Sequence, residues 1–134
     1  MASQEPQCSA STNAARCDDA RAAANHALAL VAERELLDAL TQQVPPARGM
    51  YAYQSPGEAA AFDRAMRAIC HEAHHLDLRA EELVIAIKKG WAQLGAMRAS
   101  RLAERDGDVL REVVSSSIEL FFESRHDDER RVQR

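Results

Sequence analysis

The run "CHEAHH", Cys70 to His75, sets His71, Glu72 and His75 in the pattern H-E-x-x-H. On a helix, two histidines four residues apart project from one face and can hold zinc, while the glutamate between them activates the metal-bound water of a hydrolase. A catalytic zinc also needs a third protein ligand and an open coordination position. The metzincin form of the motif follows the helix with a glycine and a third histidine, and here Leu78 and Glu81 stand at those positions. A downstream glutamate could serve instead, but the pattern singles out none among Glu81, Glu82 and Glu104.

Direction weighs against the catalytic reading. At about 100° per residue, His71 points nearly opposite the ridge of Phe62, Met66, Ile69, Ala73 and Leu76, and His75 lies beside that ridge. Arg64 and Arg67 share the outer face, and Arg67 sits one turn before His71, where its charge opposes a divalent cation. His71 and His75 are therefore expected at the surface, with no resident cofactor. Zinc would be held there only if another helix or chain completed the ligand set, and metal-dependent hydrolysis is the alternative that this set would permit. Cys70 and His74, closer to the core boundary, have zinc-compatible chemistry and likewise lack further ligands.

The elements that must position these residues are helical throughout. Hydrophobic residues make up 46% of the chain and aromatics only 4%, and abundant alanine favours helix because it surrenders no side-chain entropy there. The expectation is an all-α protein: an antiparallel bundle of about four helices over residues 17–126, after a disordered tail at 1–16 and before a frayed, charged end at 127–134. A first helix from about Asp18 to Val44 carries Ala23, Leu30, Leu37 and Val44 every seven residues, with Leu36 and Leu40 widening the stripe and His26 on its inner side before Glu33. Pro45 and Pro46 end it.

"SPGE" opens the second helix, with Ser55 as N-cap, Pro56 in the first turn and Glu58 as the capping-box acid. A third follows "LDLRAEEL" with Leu83, Ile87, Trp91, Leu94 and Met97 on one face, and Gly90 and Gly95 mark close helix contact or a kink. Asp108 is the expected N-cap of a fourth helix, Val109 to about Ser124. Consecutive helices are expected side by side, given their short connections.

The fourth helix carries two apolar lines: Val109, Val113 and Leu120, and beside them Val114, Ile118 and Phe122. So wide a face suggests burial by the bundle on one side and by another protein, or a second copy in a homodimer, on the other. Arg48, Tyr51 and Tyr53, on the proline-bounded loop, are further candidates for recognition, because loops carry binding residues and both tyrosines of the chain lie there. Ser115, Ser116 and Ser117 have no histidine and acid at a spacing that would make one a nucleophile.

Net charge is −4 with both signs intermixed, so no global basic field draws nucleic acid. "AHHLDLRAEELVIAI" has a faint helix-turn-helix look, with Lys88, Lys89, Arg98 and Arg101 able to meet phosphates, but Glu81 and Glu82 occupy the end that would enter the groove. A DNA-binding regulator is thus a minor alternative. The longest aliphatic run, Leu83 to Ile87, is too short for a bilayer, and three cysteines without CxxC spacing suit reduced thiols, so a cytoplasmic location without membrane contact is expected. The favoured function is a non-enzymatic binding or regulatory module acting through helix-face protein contacts.

Overall fold

A computed structural model describes the backbone of residues 11–43 and 56–132 and the side chains of residues 18–43 and 58–124. The described residues form five α-helices: α1 (Ser11–Thr41), α2 (Pro56–His75), α3 (Ala80–Ala92), α4 (Gly95–Arg101) and α5 (Asp106–Val132). A single 3-10 turn, Ala103–Arg105, links the last two. The expected cap Ser55 and the loop residues Arg48, Tyr51 and Tyr53 lie outside the described residues, as does the tail through residue 10. Helix α1 starts at Ser11, ahead of the expected Asp18, and α5 continues through the charged end to Val132.

The long α2, α3 and α5 helices supply the core where their periodicity placed it. Phe62, Met66, Ile69 and Ala73 of α2, Leu83, Ile87 and Trp91 of α3, Leu94 beyond it, and Val109, Val113 and Leu120 of α5 are buried. Helix α1 is phased differently. Its buried line is Leu28, Ala32, Leu36, Ala39 and Leu40, whereas Leu30 and Leu37 are exposed, with Leu30 at 54%. Ala23 and His26 also face solvent, so the seven-residue repeat and the inner histidine pair expected there are corrected. The physical reason is that the buried line holds three leucines against the two of the described seven-residue repeat, and its interleaved alanines let two neighbouring helices approach.

Side-chain bonds define how the helices run. Asn25 donates to Glu82 at 3.0 Å, and eight residues further along each helix the Gly90 backbone meets Ala32 and Glu33, so α1 and α3 are parallel. Cys70 to Ser117 and His74 to Phe121 are both separated by 47 residues, so α2 and α5 are parallel as well. Gln43 at the end of α1 donates to the Glu58 carbonyl in the first turn of α2 at 3.0 Å, making α1 and α2 antiparallel. The result is an up-down-up-down bundle with α1 and α5 each packed between α2 and α3. Helices α2 and α3, joined by only four residues, are diagonal and scarcely touch. The expectation that consecutive helices lie side by side therefore fails at this one connection.

Gly90 is the close-contact glycine: an added Cβ would sit 2.8 Å from the Glu33 backbone nitrogen and 3.1 Å from two further α1 backbone atoms. Gly95 is the kink glycine, opening α4 after the chain breaks at Gln93 and Leu94. The expected single third helix is thus two. Asp108 is not an N-cap, because α5 begins two residues earlier, at Asp106. The turn after α2 closes as a Schellman motif, with Leu78 N–H donating to the Ala73 carbonyl at 2.9 Å and Asp77 N–H to the His74 carbonyl at 3.1 Å. Asp77 takes the left-handed position with φ 56°.

Gly90→Ala is expected to lower unfolding free energy by about 1–3 kcal/mol through backbone overpacking, with Gly95→Ala near neutral as the control, both read by urea denaturation. Asp77→Gly is expected to raise it by about 1 kcal/mol, since glycine carries no left-handed penalty and removes an acid from a helix C-terminus.

Candidate functional site

Helix α2 carries the chemistry-bearing residues, and its phase is set by the ridge it buries. With Phe62, Met66, Ile69 and Ala73 inward, both His71 and His75 face solvent. Arg67 is held to Asp63 at 2.9 Å on the same outer surface. Among the described residues no group of three or more His, Cys, Asp or Glu side chains is arranged to hold a metal ion. The structure brings the two histidines to one face, and among the described residues no third ligand joins them. Zinc binding by this pair is accordingly expected to be weak and to leave Tm unchanged, because coupling to folding needs a fuller ligand set; metal titration with thermal melts of the wild type and His71→Ala/His75→Ala checks it.

Cys70 and His74 point the other way, toward α5. The Cys70 thiol donates to the Ser117 carbonyl at 3.3 Å. Burial pushes its pKa up to about 12, against a small opposing effect of Arg67. It is therefore a neutral thiol at pH 7 rather than a thiolate ligand. His74 stacks on Phe121 with ring centroids 4.3 Å apart, and its Nε2 lies 3.1 Å from the Phe121 carbonyl oxygen. A carbonyl can only accept, so Nε2 carries the proton and is committed to that bond. Successive turns of α2 thus clasp successive turns of α5 through Cys70 and His74. Ser117, fully buried, turns its hydroxyl to the Val114 carbonyl at 2.7 Å, which lets the thiol approach.

Two further polar clusters were not distinguished by sequence reasoning. Asp106, in the first turn of α5, accepts from Trp91 Nε1 at 3.0 Å and from Arg98. The Arg98 guanidinium also lies over the Trp91 ring, 5.5 Å from its centre. Arg101 donates to the Gln43 carbonyl at 3.1 Å and so tethers α4 to the end of α1. Two of the four bases considered for phosphate contact are consequently engaged in holding one end of the bundle, while Lys88 and Lys89 are exposed. The tryptophan expected as core is core, and only its indole N–H signalled the need for an acceptor.

At the opposite end Glu82 gathers donors from three places. Its carboxylate accepts from the Arg79 backbone N–H at 2.9 Å, from Asn25 at 3.0 Å and from Arg21. Partial burial alone would raise its pKa, but the Arg79 N–H and the Arg21 and Asn25 side chains outweigh that and lower it. The "LDLR" residues between α2 and α3 join two helices that lie diagonally in the bundle and scarcely touch.

The outer edge of α5 presents the second apolar line. Val114 and Ile118 are half-buried, and Phe122 is 52% exposed, edge-on to the buried Phe121 at 5.5 Å. On α3, Ile85 is equally exposed at 52%. Between α2 and α5 runs a cleft of about 300 Å³ floored by Phe62, Met66, Val109 and Val113 and edged by Asp63 and Glu112. No helix among the described residues is long and apolar enough to cross a membrane.

Comparison with models of known protein families, with curated proteins and with solved structures finds no match.

Two measurements follow from the titrating groups. The Glu82 carboxyl is lowered on folding, so its stabilisation is full above the unfolded carboxylate pKa and is lost as pH falls through the lower folded value. Glu82→Gln should flatten the fall in unfolding free energy on acidification from neutral pH. The Cys70 pKa is raised, so its contribution is intact below the unfolded thiol pKa and is lost as pH climbs toward about 12. In a Cys8→Ser/Cys17→Ser background, Cys70 should react with a thiol reagent at pH 8 only as fast as the chain opens.

Proposed function

We propose that the chain is a non-enzymatic helical-bundle module that binds another protein, or a second copy of itself, through the outer edge of α5. The observation that carries this reading is Phe122, a large aromatic that is 52% exposed at the end of the half-buried line Val114 and Ile118. The bundle already has its core without Phe122, since Phe121 beside it fills the inward position and is 3% exposed. Aromatic side chains in such positions contribute large contact area for little ordering cost, which is why they dominate protein interfaces.

The engaged state of the other candidate chemistry supports the same reading. Cys70 and His74 serve the α2–α5 contact, and Arg98 and Arg101 serve the end of the bundle. Among the described residues the exposed large apolar side chains are Leu30 and Leu37 of α1, Ile85 of α3 and Phe122 of α5, and Phe122 continues the half-buried line of Val114 and Ile118.

Ile118→Ser/Phe122→Ser is the test. Far-UV circular dichroism should retain the wild-type helicity, while association, measured by sedimentation equilibrium or by a captured partner's affinity, should weaken at least tenfold, given about 1.5–3 kcal/mol for each large apolar side chain fully buried. Unfolding of the double variant instead would make these residues ordinary core and remove the basis of the proposal.

A further inference from the structure

Helix α3 contacts its neighbours on two sides and leaves a third open. Glu82 and Gly90 face α1, Trp91 reaches α5, and Leu83 and Ile87 fill the core. Opposite the core lies a face made of Glu81, Val84, Ile85 and Lys88, spaced i, i+3, i+4, i+7, with Val84 half-buried and the other three exposed. No ion pair among the described residues engages Glu81 or Lys88.

The order of chemistry along this face is acid, apolar, apolar, base. Reversed end to end it becomes base, apolar, apolar, acid, which is its own complement. The geometry points to a second copy of this chain as the occupant: two α3 helices antiparallel about a two-fold axis between Val84 and Ile85, with Glu81 of each copy opposite Lys88 of the other. Glu81 and Lys88 are seven residues apart, about 10.5 Å along the helix, so both pairs form in one register. A two-fold contact requires one patch to match itself, and this patch does so in charge as well as apolarity.

Charge also argues for this face over the cleft between α2 and α5. The chain is net negative at −4, and pairing two clefts edged by Asp63 and Glu112 would set acid against acid. The α3 face is neutral, with one acid and one base, so pairing two such faces sets no acid against acid. One helix face falls short of the roughly 800 Å² that a stable partner covers. The proposed contact therefore extends onto Ile118 and the exposed Phe122 of α5, and in that respect the inference rests on the function proposed above.

Sedimentation equilibrium of the full chain in about 50 mM salt, where surface charges are least screened, tests the pairing. The wild type is expected to dimerise. Lys88→Glu and Glu81→Lys should each raise the dimer dissociation constant about tenfold, since each reversal replaces two attractive pairs by two repulsive ones. The combined Glu81→Lys/Lys88→Glu variant should return to the wild-type value, and Ile85→Asp, at the axis, should give monomer with helicity retained. A monomeric wild type, indifference to either single reversal, or failure of the combined variant to recover overturns the two-fold. A dimer that ignores the α3 charges but dissociates in Ile118→Ser/Phe122→Ser overturns the two-fold and leaves the α5 reading standing. If the charge swap behaves as expected while that α5 variant remains dimeric, the extension of the contact onto α5 is overturned together with the α5 reading, and the α3 pairing alone accounts for the dimer.

Discussion

Gly90 lets the backbone of α3 approach α1 so closely that one added carbon would lie 2.8 Å from the Glu33 amide nitrogen, and this approach sets the arrangement of the bundle. Because α3 is held against α1 in parallel, α2 is displaced to the far side of α1, and α5 fills the remaining position between α2 and α3. The same contact fixes the axial register. Glu82 then falls beside Arg21 and Asn25 at one end, and the chain leaving α3 brings Arg101 back to Gln43 at the other. Helix packing of this density tolerates little change in separation, so these polar bonds depend on the glycine more than the glycine depends on them.

Within that frame, residues with reactive side chains serve contacts between helices. Cys70 and His74 each bond a carbonyl of α5. Burial keeps the thiol protonated, at a pKa of about 12, and the imidazole's donor nitrogen is engaged. Asp106 joins Trp91 and Arg98 across the α3–α4–α5 junction. Such bonds contribute modestly to net stability, but losing one partner leaves a buried polar group unsatisfied, which is the larger effect.

The H-E-x-x-H run illustrates how a motif and its surroundings can point in different directions. Four-residue spacing placed His71 and His75 on one face, as any helix must. Whether that face looked into a cleft or into solvent depended on where the ridge of Phe62, Met66, Ile69 and Ala73 was buried. The ridge was readable in advance because five apolar residues at alternating spacings of four and three leave only one face to bury. Helix α1 offered no such single answer. Its heptad of Ala23, Leu30 and Leu37 competed with a line through Leu28, Ala32 and Ala39, and Leu36 and Leu40, expected to widen the heptad stripe, are buried with the second line. The choice fell to the line with three leucines, whose interleaved alanines admit close neighbours.

The amino-acid sequence by itself determined that the chain is helical, where α2 and α5 turn their aliphatic ridges, that His71 and His75 face outward, and that Gly90 and Gly95 interrupt an ordinary helix surface. These are local properties, set by propensity and by the 3.6-residue period. The tertiary structure alone decided the phase of α1, the parallel pairings of α1 with α3 and α2 with α5, and the partners of Cys70, His74, Asp106 and Glu82. It also placed the exposed faces of α3 and α5. Those outcomes depend on which helices meet and at what height, and residues 47 or 57 positions apart acquire a common height only when the whole bundle has packed.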